Sequence, residues 1–196
     1  MKKILYVNST VRKESRTDEL ARYLLKRMDG NVTQINLEEE KIEPLNSITL
    51  SERDEILSNN DFSNEKLKYA RQFANADSIV ISAPFWDLSF PATLKTYMEN
   101  ISVTGITFRY SESGRPIGLC KANDIYFIST AGGKFIPNFG YDYIKVLSNQ
   151  LFGIKNSELI YAEGLDIKGN DVQEIMKKAK EDIDRRFRNQ IELDER

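Results

Sequence analysis

Four hydroxyls and three cations crowd into nine residues, Ser9-Thr10-Val11-Arg12-Lys13-Glu14-Ser15-Arg16-Thr17, just ahead of a stretch with helical periodicity. Hydroxyls, cations and the unpaired N–H groups of a helix's first turn together suit a phosphate. The segment has neither Gly-x-Gly-x-x-Gly nor Gly-Lys-Ser/Thr, which disfavours ATP, GTP and a conventional dinucleotide site. A terminal phosphate monoester fits hydroxyls and amides better. The bland alternative is that Ser15 or Thr17 only caps the helix.

A second segment, Ala83-Pro84-Phe85-Trp86-Asp87-Leu88, puts bulky side chains, including the only tryptophan, where a turn is ordinarily polar. A flat apolar ligand stacked on these rings, with backbone N–H groups donating to its polar edge, accounts for that choice. The alternative is that Phe85 and Trp86 merely cover the end of a sheet. A third segment, Ser129-Thr130-Ala131-Gly132-Gly133-Lys134, has adjacent glycines that let backbone approach a ligand closely. A glycine pair alone is weak; its register with the other two segments gives it weight.

The chain has no histidine and one cysteine, Cys120. That removes serine triads, Cys-His dyads and the usual zinc sites, so no metal and no catalytic side chain is expected. Cys120 has no internal disulfide partner, which fits a reducing compartment, and reads as a small residue at a strand edge. Redox or other hard chemistry then calls for a bound cofactor.

Short apolar strands must position these loops. Ile4-Leu5-Tyr6-Val7, Val32 to Leu37, Ile79-Val80-Ile81, Ile125-Tyr126-Phe127-Ile128 and Leu159-Ile160-Tyr161 read as strands. Between them, helical spacing marks Leu20 to Met28, stopped by Gly30, then Leu67 to Ala74, a helix opened by Pro91 and carrying Leu94, Met98 and Ile101, one near Tyr141 to Phe152, and a last from about Asp171 to Asn189. Glu38 to Asn60 is acidic and apolar-poor, and predicts irregular structure or a short helix. Gly105 to Gly118 predicts a long loop or hairpin. Strands alternating with helices argue for a parallel sheet covered on both faces. In such a sheet the ligand crevice lies outside the carboxyl ends of the strands, where strand order reverses, and the three loops above follow the first, third and fourth strands.

With 196 residues and a net charge of -2, the chain suits a single domain over residues 1–196 and offers no basic field for nucleic acid. No apolar run approaches the roughly 18 residues that span a bilayer, and the N-terminus has no signal-peptide core, so a cytoplasmic protein without membrane attachment is expected. The charge-rich stretch Glu181 to Arg196 reads as a solvated helix end.

Over nearly its whole length the sequence resembles the FMN-dependent NADH:quinone oxidoreductases and azoreductases of the flavodoxin-like superfamily. The resemblance is carried by Ala76-Asp77-Ser78-Ile79-Val80-Ile81-Ser82-Ala83-Pro84, Leu94-Lys95-Thr96-Tyr97 and Gly105-Ile106-Thr107-Phe108-Arg109-Tyr110, with Ser129 to Gly133 and Ala162-Glu163-Gly164 similar to the second flavin loop and closing strand end. It implies a doubly wound five-stranded parallel sheet of order 2-1-3-4-5. It further implies that Ser9 or Thr10, with Ser15, Arg16 and Thr17, holds the FMN phosphate. Pro84, Phe85, Trp86, Asp87 and Leu88 would line the flavin together with Thr130, Ala131, Gly132 and Gly133. A homodimer is implied too, with Phe108, Arg109 and Tyr110 shaping a substrate mouth, although Phe108 and Tyr110 read nearly as well as aromatic anchors of a hairpin.

Two positions depart from the family pattern: Asp87 stands where Asn is common, and Ala131 where a larger polar residue is frequent. A contact through the main-chain N–H of residue 87 survives the change, while the carboxylate would lower the flavin potential. The resemblance implies ping-pong turnover, with NADH or NADPH and then a quinone or azo compound taking the same slot in turn, the protein orienting flat rings and excluding water. The competing reading is an FMN electron carrier without reductase activity of its own. Such carriers are shorter and strongly acidic, and this chain is neither.

Overall fold

The computed structural model describes residues 1–135 and 137–194. Its centre is a parallel sheet of β1 (Lys3–Asn8), β2 (Asn31–Asn36), β3 (Ser78–Ser82), β6 (Asp124–Thr130) and β7 (Asn156–Ala162), in the order β2-β1-β3-β6-β7. Counting only these five strands, the order is the expected 2-1-3-4-5. Glu195 and Arg196, at the end of the charge-rich stretch, lie outside the described residues.

Successive side chains of a strand point to opposite faces, so a strand buried on both faces reads as an unbroken apolar run. Ile4 and Tyr6 of β1, Val80 of β3 and Tyr126 and Ile128 of β6 face α1 (Arg16–Leu25) and α6 (Val172–Asp194), packing on Leu20, Leu24, Met176 and Ile183. Leu5, Val7, Ile79, Ile81, Ile125 and Phe127 face the other way, toward Phe73 of α3 (Lys68–Asn75), Leu94 and Met98 of α4 (Ala92–Ile101) and Ile144 of α5 (Phe139–Leu147). Strand β2, at the sheet edge, is different: Ile35 is buried, while Asn31 to Gln34 are exposed.

The structure departs from the sequence reading at three places. Residues 38–60 contain a full helix, α2 (Ser47–Ser58), none of whose residues is buried. It has no apolar stripe to betray it; its signal is the capping box in which Asn46 Oδ1 accepts from the Thr49 amide at 3.0 Å and Thr49 Oγ1 accepts from the Asn46 amide at 2.9 Å. The helix α1 ends at Leu25, short of the expected Met28. The helix near Tyr141 begins at Phe139 and runs from α5 into a π turn over Ser148–Phe152. Between α4 and β6, β4 (Phe108–Tyr110) and β5 (Pro116–Gly118) form the antiparallel hairpin that was one of the two expectations for this segment. It lies so close to the end of the π turn that a Cβ on Gly118 would come within 2.2 Å of the Gly153 nitrogen.

Candidate cofactor site at the carboxyl edge of the sheet

Sheet order reverses between β1 and β3, and the loops that leave their carboxyl ends are tied together from below. The Ser9 amide and hydroxyl both donate to Ser82 O, at 2.9 and 3.0 Å. Asn8 Oδ1 accepts from the Thr10 amide at 2.9 Å and from Ser82 Oγ at 3.0 Å. Under them the fully buried Tyr6 hydroxyl donates to Asp18 Oδ1 and lies 2.8 Å from Ser82 Oγ. Asn8 Nδ2 and Arg22 Nε also donate to the Asp18 carboxylate. Burial first, and the Asp18 hydrogen bond second, push the Tyr6 phenol well above the ordinary tyrosine range. This buried polar set joins β1, β3 and α1, fixing the backbone from which the first loop springs.

Helix α1 starts at Arg16 because Ser15 caps it, its Oγ accepting from the Asp18 amide at 3.3 Å. Ser15 thus does cap the helix, and it also lines a cavity of about 320 Å3 together with Thr10, Arg16 and Thr17. Thr17 Oγ1 lies 2.7 Å from Thr130 Oγ1, a direct bond between the first and third loops. The cavity's other walls are Pro84, Phe85 and Trp86 from the second loop and Thr130, Ala131 and Gly132 from the third. Its volume falls within the range of about 300–1,000 Å3 usual for ligand sites. A larger groove of about 660 Å3 lies at the amino ends of β1 and β2, the wrong end of a parallel sheet for a ligand crevice, and there Arg71 is already bound to Phe62 O.

The second loop reverses through a tight turn. Trp86 N donates to Ser89 O at 3.2 Å and Ser89 N to Trp86 O at 2.7 Å, with Asp87 and Leu88 both left-handed at φ 49° and 64°. That pair of dihedrals is the signature of a type I′ turn, normally built from Asn and Gly. A left-handed L-residue costs about 1–2 kcal/mol, and a bulky one such as leucine is uncommon there. The Asp87 and Leu88 amides have no hydrogen-bond partner among the described residues. Phe85 meets Phe135 edge-on at 4.7 Å, and Phe135 meets Tyr161 at 5.5 Å.

The third loop is braced by the chain that follows β7. Gly164 N donates to Gly133 O at 2.7 Å, Leu165 N to Ala131 O at 3.2 Å and Asp166 N to Gly132 O at 2.9 Å. Glu163 accepts from the Lys134 ammonium at 3.0 Å and from the Phe135 amide at 2.9 Å. Partial burial raises the Glu163 carboxyl, but the amide and the ammonium outweigh it and hold it below the ordinary range.

Ten of the expected site residues therefore meet in one cavity, and seven, the exposed Arg109 of the hairpin among them, do not line it. Ser9 is turned inward onto Ser82, and Gly133 stands beside the cavity with open space where a Cβ would be. Asp87 and Leu88 occupy the exposed turn at its rim. Phe108 is buried in the hairpin, and the exposed Tyr110 meets its ring edge-on at 5.4 Å. The sequence reading missed a fourth loop: Leu165 and Asp166 line the cavity, and Asp166 Oδ1 accepts from Arg16 Nη1 at 3.0 Å. Its available signal was position, since the loop leaves the carboxyl end of β7 beside the other three. Cys120 lies apart, its thiol donating to Thr107 O at 3.6 Å and pushed up to about 12 by burial.

The family model for the flavodoxin-like fold matches residues 2–187. The chain belongs to the flavodoxin-like fold family. Within it, this flavodoxin-like chain is 36% identical to the FMN-dependent NADH:quinone oxidoreductase of Clostridium perfringens (strain SM101 / Type A), over 94% of this chain and 96% of that one. It is 35% identical to the protein of the same description from Coprothermobacter proteolyticus, over 88% and 92% of the two chains. Among solved structures, the azoreductase from Bacillus anthracis str. Sterne superposes with a TM-score of 0.83 at 23% identity, covering 95% of this chain and 99% of that one. The FMN-dependent NADH-azoreductase from Bacillus anthracis str. Ames Ancestor in complex with FMN gives 0.80, also at 23%, over 96% and 99%. At that identity the two structures speak for the flavodoxin-like fold.

Proposed function

We propose that this chain is an FMN-dependent oxidoreductase that uses NADH to reduce quinones and azo compounds, and that residues 1–196 form one FMN-binding domain. The observation that carries the reading is a single crevice at the switch point of the sheet, with hydroxyls and a helix N-terminus at one end and an aromatic turn at the other. Relatives described as FMN-dependent NADH:quinone oxidoreductases, matched over more than nine-tenths of both chains in the case from Clostridium perfringens, support the same activity.

The donor set fits FMN. Thr10, Ser15 and Thr17 supply hydroxyls, and the first turn of α1 supplies amides, for a phosphate monoester. Phe85 and Trp86 offer apolar rings, and the amides of Asp87 and Leu88, unpartnered among the described residues, with the backbone at Gly132 and Gly133, suit the polar edge of the flavin. Bound FMN supplies two-electron hydride chemistry that the chain's own side chains lack. The residues' work is to hold the phosphate, fix the plane of the ring and keep water from its apolar side.

Trp86, Leu88 and Phe139 form an exposed apolar rim beside this crevice, with the Phe139 amide bonded to Leu88 O at 3.0 Å. Such a rim supports a homodimer in which a second copy covers the mouth. Among the described residues no helix is long and apolar enough to cross a membrane, and the cytoplasm is the compartment this reading assigns.

The deciding experiment is an absorbance spectrum of the purified protein, followed by anaerobic addition of NADH and then benzoquinone. Flavin absorbance that bleaches with NADH and returns with quinone, with steady turnover of both, is expected. Bound flavin without turnover with NADH or NADPH would make the chain a carrier, and no flavin binding would end the reading.

A further inference from the structure

A cavity proposed to take a dianion is lined by two carboxylates, Glu14 and Asp166, alongside Arg12 and Arg16. Asp166 is held there by backbone. Its own amide and those of Gly164 and Leu165 are bonded to the third loop, and a Cβ built on Gly132 would fall 2.3 Å from Asp166 Oδ2. The carboxylate therefore lies against that glycine, on a main chain held to the cavity wall. From there it engages Arg16, the first residue of α1 and a cation of the phosphate end, at 3.0 Å. The Arg16 and Asp166 side chains are 43% and 69% exposed, so the pair is solvated, weak and easily opened.

We propose that Asp166 is an affinity-setting residue that competes with the FMN phosphate for the Arg16 guanidinium. The arginine is shared between the Asp166 carboxylate and an incoming phosphate, and the Nη1 donor held by Asp166 is withdrawn from the phosphate until the pair opens. Asp166 thus weakens the hold on FMN through its phosphate. This inference rests on the FMN reading above.

The test is a set of four proteins, wild type, Asp166→Asn, Arg16→Gln and the double variant, stripped of flavin and titrated with FMN and with riboflavin by flavin fluorescence quenching at low salt. Asp166→Asn is expected to bind FMN about threefold to fivefold more tightly, the size of an exposed ion pair, and to leave riboflavin affinity unchanged. In the Arg16→Gln background the same substitution is expected to give no gain, and the gain in the wild-type background is expected to shrink as salt is raised. An unchanged or weaker FMN affinity in Asp166→Asn overturns the proposal. So does an equal gain without Arg16, or a parallel change for riboflavin, which would mean that the third loop itself had moved. Wild-type protein that binds FMN while failing these tests leaves the FMN reading standing; wild-type protein that binds neither flavin overturns both.

Discussion

The hydroxyls of Thr17 and Thr130, 113 residues apart in sequence, lie 2.7 Å from each other and join the first turn of α1 to the end of β6 across the cavity. Thr17 is 1% exposed, so the bond is protected from water on the α1 side. Replacing Thr17 by valine keeps the shape and leaves Thr130 without its partner. A loss of about 1 kcal/mol is expected, a fall of about 2–4 °C in melting temperature for a chain of this size, together with weaker FMN binding. Thr17→Ser should stay near wild type in both, and calorimetry with a flavin titration checks the pair.

Tyr6→Phe removes the hydroxyl that donates to Asp18 and lies against Ser82 Oγ beneath the first loop. Because Asp18 stays partly buried, with Asn8 and Arg22 as its remaining partners, the expected cost is about 1–3 kcal/mol. The pH profile gives a second readout. A tyrosine raised in the folded state contributes full stability below its unfolded value of 10.0 and loses it as pH rises beyond that. Denaturant titrations from pH 8 to 11 should therefore show a steeper alkaline decline for the wild type than for Tyr6→Phe.

Much of this site was legible from residues 9–17 and 83–88, because in both segments side-chain chemistry contradicts what a plain turn would carry. The strands were legible because both faces of the sheet are covered, so that Ile79-Val80-Ile81 has no polar alternation. What stayed hidden lacked a local pattern. α2 has no apolar face, and Asp166 is an ordinary charged residue in a loop whose role arises from Gly132 and Arg16, both distant in sequence. Phe108 and Tyr110 were legible as aromatics but ambiguous in purpose, since hairpin anchor and substrate wall demand the same side chains.

Asp87→Asn should preserve the turn, because asparagine tolerates the left-handed backbone at φ 49° as well as aspartate does. It removes one negative charge at the rim of the crevice, and reduction adds negative charge to the flavin. The midpoint potential is expected to rise by about 10–20 mV, the scale of an exposed charge pair spread over two electrons. A redox titration reads it directly, and an unchanged or lower midpoint would refute it.

Glu163→Gln tests the brace on the third loop. A carboxylate depressed in the folded state contributes stability above its ordinary value of 4.5, lost as pH falls through the lower folded value. The wild type should thus outlast Glu163→Gln at neutral pH and converge with it as pH drops below 4.5. Thermal melts from pH 7 down to 3 check this, and FMN release should follow the same course.

The cavity draws on residues from Thr10 to Asp166, and its Arg16–Asp166 contact closes a span of 150 residues. On a ribosome adding about 5–20 residues per second, many seconds separate the emergence of the cavity's first loop from that of its last wall. A nascent chain therefore has nothing complete to offer a flavin until β7 has docked on β6. The ligand cannot template early collapse; it can only reward the finished chain by mass action, adding stability in proportion to the logarithm of its free concentration over its dissociation constant. Starving cells of flavin should accordingly shorten the protein's lifetime after synthesis, while leaving the speed at which the sheet assembles untouched.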